Sequence, residues 1–481
     1  MTTRAALPLR TIHRRRRRLV PAIGVVLTIG ALAGCSSPGP APGGGTAAPP
    51  TTASGGSAGA HIEPVGGWVG GRPDFDDDRT LDGAVGRSEA EAAGGADAAV
   101  FESGPAAPAT TIVAGTVASP DPAGAPLRAG SVDDNEDNAG FLSYLDRLES
   151  AGIAARPWDP SGRIVVQVVD GSGRPVPGAV VDVRADPQGG SVRLRATADG
   201  TVRFLPAVYG ATEASYTFES AGGSVSGAPG SELELVAASP AARTDRLAVD
   251  VLFLLDATGS MGDEIGQLTA NIATIAENVA VMAPDAELRF GMTLYRDDVD
   301  TFTTATYRFT SDLDAFGRAL AEVTAAGGGD QPEALDEGLA EAMAEPGWGP
   351  PEETLQLIFV VGDAAPQVGR QVPVPYTDSL TDALERGIKV FPIASSGTDD
   401  VAELVFRQLA QATGGRFVFL AYGAAGAALG AGTDIATTDY EELSLDQLVT
   451  RLIAEELSDW TGRTVSAPVQ VSTSTTRPPG Q

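Results

Sequence analysis

The stretch Leu247-Ala248-Val249-Asp250-Val251-Leu252-Phe253-Leu254-Leu255-Asp256-Ala257-Thr258-Gly259-Ser260-Met261 decides how this chain is read. Residues 247–255 are a near-continuous apolar run, the pattern of a parallel strand covered on both faces. Asp256 closes the run, hydroxyls follow at Thr258 and Ser260, and Ile265, Leu268, Ile272, Ile275 and Val279 continue at helical spacing. An acid at the carboxyl end of a first strand, with hydroxyls two and four positions on in a strand-to-helix loop, can point three oxygens at one hard cation. A plainer reading has Thr258 and Ser260 cap the helix while Asp256 bonds to the loop.

Working outward, the periods alternate as a layered α/β fold requires. Strands are expected at 287–295, 304–309 (an edge), 355–361, 388–393 and 416–420, and helices at 313–323, 332–343, 379–386, 400–412 and 443–457. The expected fold is therefore α/β: a doubly wound, mostly parallel, Rossmann-like six-stranded sheet over 246–461. Two more loops carry acids to the same sheet edge, Gly327-Gly328-Gly329-Asp330-Gln331-Pro332-Glu333-Ala334 and Val360-Val361-Gly362-Asp363-Ala364-Ala365-Pro366. Asp256, Asp330 and Asp363 gathered there repel one another unless a cation neutralises them. Oxygen-only ligation favours Mg2+, Mn2+ or Ca2+ over zinc or copper. The stretch Tyr295-Arg296-Asp297-Asp298-Val299-Asp300 either rims this edge or, more simply, is a solvated face.

These residues make 246–461 resemble a von Willebrand factor type A domain. Its metal ion-dependent adhesion site (MIDAS) opens with Asp-x-Ser-x-Ser, matched here by Asp256-Ala257-Thr258-Gly259-Ser260. The resemblance implies a metal set of Asp256, Thr258, Ser260, Asp330 and Asp363, with Asp363 reaching the ion through water. Many relatives have Gly-Gly-Thr in the second loop; here Gly329 takes the threonine slot and Asp330 compensates. It also implies metal-dependent protein binding or adhesion, in which a partner's acidic side chain completes the shell, and no catalysis. The alternatives are an envelope spacer without a working metal site and an Asp/metal-dependent hydrolase. The hydrolase lacks the second aspartate two positions after Asp256, where Thr258 stands.

The rest of the 481 residues narrows the chemistry. His13 and His61 are the only histidines, Cys35 the only cysteine and Lys389 the only lysine. Intrachain disulfides, Cys/His zinc sites and His-based triads are thereby excluded. Formal charge is −30, and residues 1–34 hold seven arginines and no acid, so nucleic acid is not an expected partner. Residues 1–34 read as an export signal: arginines 14–18, an apolar run too short to span a bilayer, then small residues. Leu32-Ala33-Gly34-Cys35 resembles the bacterial lipobox, which implies lipidation of Cys35 (palmitate-type acyl chains) and a lipoprotein anchored in the cell membrane, facing outside the cytoplasm.

Residues 35–107 follow as a low-complexity tether, 108–160 as a partly ordered acidic and helical linker with a strand-like piece at 111–117, and 462–481 as a disordered tail. Within the linker, Asp133-Asp134-Asn135-Glu136-Asp137-Asn138 has the acids of a calcium loop. It lacks the required Gly and the closing Glu, so it reads as a solvated turn capping a helix or a nonstandard calcium site. Residues 161–238 carry β-branched runs separated by Gly, Pro and Asp-Gly turns. They resemble the carboxypeptidase regulatory-like or Cna-B-like β-sandwich and imply a spacer role.

Overall fold

The computed structural model describes residues 127–185, 191–238, 247–297, 300–329, 331–421, 435 and 440–468. The export signal, Cys35, the tether, the strand-like piece at 111–117 and Asp330 lie outside the described residues. The described chain begins with β1 (Arg128–Val132) and α1 (Asn138–Ser150). Seven strands follow: β2 (Ile164–Val169), β3 (Val180–Ala185), β4 (Ser191–Arg195), β5 (Thr201–Phe204), β6 (Tyr216–Ser220), β7 (Gly223–Gly227) and β8 (Glu232–Val236). They form a three-stranded sheet ordered β5-β2-β8 and a four-stranded sheet ordered β4-β3-β6-β7. Alternate residues such as Val166, Val181, Leu194, Phe204, Phe218 and Leu235 turn inward and are buried between them.

The α/β part runs β9 (Ala248–Asp256), a 3-10 helix (Gly259–Asp263), α2 (Ile265–Met282), β10 (Glu287–Tyr295), β11 (Thr304–Thr310), α3 (Leu313–Ala321) and α4 (Leu335–Ala344). It continues through β12 (Thr354–Gly362), α5 (Tyr376–Arg386), β13 (Lys389–Ala394), α6 (Asp400–Thr413), β14 (Phe417–Ala421), β15 (Leu443–Ser444) and α7 (Leu445–Thr461). On β9, Val251, Phe253 and Leu255 face a layer built by α2, α3 and α7, while Leu252 and Leu254 face α4, α5 and α6. That two-sided burial is why the strand reads as continuously apolar. Phe253, Phe359 and Phe391 stack across three neighbouring strands, with centroids 5.6 and 5.1 Å apart.

The sheet has eight strands in the order β11-β10-β9-β12-β13-β14-β1-β15, which corrects the six-stranded expectation. Its inner pairings from β10 through β14 are parallel, whereas β11, β1 and β15 pair antiparallel. Strand β1 comes from the segment read as a linker. It covers the open edge of β14 and buries Ala129 completely, so a piece of chain far upstream in sequence completes the sheet. The expected closing helix starts two residues late, because Leu443–Ser444 pairs with β1 first.

The acidic turn before α1 is consumed by arginines. Asp134 pairs with Arg407 (Nε to Oδ2 3.0 Å), Asp133 with Arg416 at 3.2 Å, Asn135 Oδ1 accepts from Arg163 at 2.7 Å, and Asp137 caps α1 through Gly140 N. Those partners support the capping reading and occupy the carboxylates a calcium ion would need. Among the described residues no helix is long and apolar enough to cross a membrane.

Candidate functional site

The site lies at the carboxyl ends of β9, β10 and β12. Register places Asp256 opposite Tyr295 on β10, and β12 ends at Gly362 with Asp363 next in the chain. The loop leaving β9 is pinned by backbone bonds: Ala257 N donates to Tyr295 O at 2.9 Å, Ala326 N to Ala257 O at 3.0 Å, and Gly259 N to Gly327 O at 3.0 Å. The glycine loop is thus held directly against the Asp256 loop.

Thr258 does not cap the following 3-10 helix with its side chain. Its hydroxyl donates to Asp256 Oδ1 at 2.6 Å, its amide donates to the same oxygen at 2.9 Å, and its Oγ1 lies 3.0 Å from Ser260 Oγ. The Ser260 hydroxyl in turn donates to Asp363 Oδ1 at 3.1 Å. A continuous chain of oxygens therefore joins Asp256, Thr258, Ser260 and Asp363, four of the five residues singled out in the sequence. Ser260 is exposed at its open end, while Asp256, Thr258 and Asp363 are buried.

One oxygen of Asp256 holds the loop, as the plainer sequence reading supposed; the other, Oδ2, is fully buried with no hydrogen-bond partner. The Tyr295 phenol approaches this carboxylate closely enough to stabilise its charge slightly, yet falls short of a formed hydrogen bond, and its own oxygen is also unsatisfied. Burial, with Asp363 adding repulsion, pushes the Asp256 carboxyl up to about 7. Asp363 is raised too, chiefly by burial and against the Ser260 hydrogen bond.

Glu333 is the residue sequence reasoning missed. It is 2 % exposed, and its Oε2 has no partner. Burial first, then Asp256, Asp297, Asp363 and Asp300, push its carboxyl up to about 8. Its backbone is fixed between two site loops, with Glu333 N donating to Ala365 O at 3.0 Å and Ala334 N to Arg296 O at 3.2 Å. The sequence offered one signal, an acid in the same glycine-loop segment as Asp330.

The described part of 295–300 is a buried rim and not the solvated face expected. Arg296 is buried, donating to Ala257 O at 2.9 Å and Thr324 O at 2.8 Å, and Asp297 is buried beside it. Asp300 Oδ2 accepts from Gly328 N at 2.8 Å. The Arg296 guanidinium is spent on carbonyls and on the face of Phe302 (4.4 Å), so the site carboxylates gain no direct ion pair from it. Among the described residues, no three Asp, Glu, His or Cys side chains already converge as a metal-ready group; Asp330 stands outside them.

Residues 250–422 match the von Willebrand factor A domain family. The alpha-protein kinase vwkA of Dictyostelium discoideum is 30% identical over 117 residues, which is 24% of this chain and 18% of that protein. The chain thus spans under a fifth of that relative's length. Among solved structures, the conserved hypothetical protein BatB from Bacteroides thetaiotaomicron aligns with 44% of this chain and 99% of its own, at 16% identity and a TM-score of 0.31. The pilus adhesin SpaC from Lactobacillus rhamnosus GG, in its open conformation, aligns with 42% of this chain and 29% of its own, at 12% identity and a TM-score of 0.28.

Proposed function

We propose that the von Willebrand factor A-like unit binds another protein through the loops at the carboxyl ends of β9, β10 and β12, and does so with a divalent cation. The reading extends to location: a lipoprotein held by Cys35 outside the cytoplasmic membrane would present this face to envelope or extracellular proteins. A generic protein-binding role follows from the domain type, and the cation dependence is our finer reading.

One observation carries it. Asp256 Oδ2 is a buried carboxylate oxygen with no formed hydrogen bond, and burial is the largest influence on its carboxyl, ahead of the Thr258 hydrogen bond to the other oxygen and the repulsion from Asp363. An uncompensated buried charge is costly, and a hard cation is the natural partner for a set made only of carboxylate and hydroxyl oxygens. Asp256, Thr258, Ser260 and Asp363 would hold Mg2+, Mn2+ or Ca2+. A bound ion supplies a Lewis-acidic position for an incoming oxygen. The residues do the rest: Asp256 and Thr258 stiffen the loop, and Ser260 links it to Asp363 at the exposed end.

The test is Mn2+ titration calorimetry together with pull-down from envelope extracts in Mg2+ and in EDTA. Wild type should bind Mn2+ and retain partners only with cation, and Asp256→Ala should lose both. If Asp256→Ala matches wild type in both assays, cation-dependent binding at this site is wrong.

A further inference from the structure

The upstream chain enters the described body at the site end. Strands β9, β12, β13 and β14 run parallel, so Asp256, Gly362, Ala394 and Ala421 all lie at the carboxyl end of the sheet. Strand β1 runs against β14, with Arg128 opposite Ala421 and Val132 opposite Phe417, so the chain comes in at that end and runs away from it. Leu127 is buried there, and its carbonyl accepts from Leu445 N at the start of α7 at 2.8 Å. Arg128 Nε donates to Glu442 Oε1 at 2.7 Å beside it. The entry point is thus fixed three strands from β12 and four from β9, roughly 14 and 19 Å away at about 4.8 Å per strand.

The sandwich sits at the other end. Asp199 meets Lys389 at the start of β13 at 3.5 Å, and Arg195 meets Glu352, just before β12, at 3.8 Å. A Cβ on Gly178 would lie 3.5 Å from Trp460, at the end of α7. The sequence order of tether, sandwich and α/β unit implied a spacer between anchor and site; the strand topology reverses that arrangement.

Resting on the location and protein-binding readings above, we infer that Cys35 holds the folded body by its site end, and that the partner is a protein held in the same membrane and bound in cis. The 91 residues between Cys35 and Leu127 join the body on the same end as the binding loops. The sandwich contacts and the end of α7 lie beyond the site by roughly 30 Å, the length of the nine-residue β9. A facing cell meets those parts first, whereas a neighbour in the anchoring membrane meets the loops.

The test uses the full-length lipidated chain in vesicles, where acylation of Cys35 leaves an introduced cysteine as the sole free thiol. A donor dye is placed at Gln371→Cys, in the loop after Asp363, or at Arg463→Cys, past α7, both exposed positions, and read against an acceptor on the lipid headgroups. Transfer should be greater from 371 than from 463. Equal or reversed transfer overturns the inference and leaves cation-dependent binding standing. Cells carrying Gln371→p-benzoylphenylalanine are then mixed with cells whose proteins are isotopically heavy, and crosslinked partners should be light and stay with the membrane in a carbonate wash. Heavy partners in proportion to the mixture overturn the inference as well. A chain that does not float with vesicles removes the location reading, and no crosslinked product at Gln371 removes the protein-binding reading; either takes this inference with it.

Discussion

Lys389 Nζ lies 2.8 Å from Glu456 Oε1, both side chains buried, so the chain's only lysine joins the start of β13 to α7. Asp199, in the turn between β4 and β5 of the sandwich, is the second carboxylate at 3.5 Å. Burial pushes Glu456 up to about 7, whereas in Lys389 the two carboxylates outweigh burial and raise it. The ammonium therefore keeps its proton, and Glu456 is the partner that gives up charge first.

Removing one side of such a buried cluster leaves the other uncompensated. Lys389→Met should lower unfolding stability by about 3–5 kcal/mol. Lys389→Met combined with Glu456→Leu should recover part of that loss, because one of the two stranded carboxylates goes with its partner while Asp199 is left with Arg203 at 3.9 Å. Urea midpoints of the single and double variants check this. A single variant with an unchanged midpoint would show that the cluster contributes nothing.

The site carboxylates give the cation-free protein a distinct pH response. Asp256 titrates at about 7 and Glu333 at about 8 in the fold, against 3.8 and 4.5 as ordinary values. The folded pKa is the higher one in both cases, so the native state holds more protons than the unfolded chain between those limits. Stability should be fully present below about 4 from these two groups and fall as pH rises through 7 to 8. Melting temperature in EDTA should drop across that range, and Mn2+ should flatten the slope. Parallel curves with and without Mn2+ would count against cation occupancy here.

Gly362 tests how tightly the end of β12 meets the site. A Cβ there would stand 2.5 Å from the Tyr295 hydroxyl and 3.1 Å from Asp256 Cβ. Gly362→Ala should destabilise by about 1–3 kcal/mol through overpacking and weaken Mn2+ binding by displacing Asp256. Gly369→Ala, whose Cβ would meet nothing within 4 Å, is the control and should be near neutral. Calorimetry on both variants separates the two effects.

Much of this was legible in the sequence because local periodicity and the site share one cause. The apolar run ending at Asp256 had to be a covered parallel strand, and its acid had to emerge at the loop where Thr258 and Ser260 could meet it. The other elements of the α/β unit fell within a few residues of their expected bounds for the same reason. Strand β1 was not legible, since five residues with one fully buried Ala carry no periodic signal, and its partners are almost 300 residues away. Glu333 escaped because the acid looks like surface until the glycine loop and Ala365 fold it inward. The acidic turn at Asp133 to Asp137 was legible as a helix cap but not as a buried one: Arg407 and Arg416, both distant in sequence, pair with Asp134 and Asp133, and Asp134 is buried.

Arg156, just beyond α1, reaches the other flank of the site. Its guanidinium bridges Asp336 (3.3 and 2.6 Å) and donates to Gln367 O at 3.2 Å and Arg370 O at 3.0 Å. Asp336 is 1 % exposed and also accepts from Tyr376 N at 2.6 Å, so the arginine ties α4 to the loop that follows Asp363 and leads into α5. Gln367 then donates to Asp297 Oδ1 at 2.9 Å, carrying the tie to the buried rim. Arg156→Leu should cost about 3–5 kcal/mol by stranding Asp336 and should loosen the loop. Arg156→Lys keeps the charge but cannot span the same carboxylate and carbonyls, so it should restore stability in part while the loop stays loose. Hydrogen exchange followed by mass spectrometry reads the difference: peptides covering 366–376 should exchange faster in both variants, with the sandwich strands β2 and β3 unchanged. Equal protection of 366–376 in wild type and both variants would mean that the loop is held by its own backbone bonds and that Arg156 serves α4 alone.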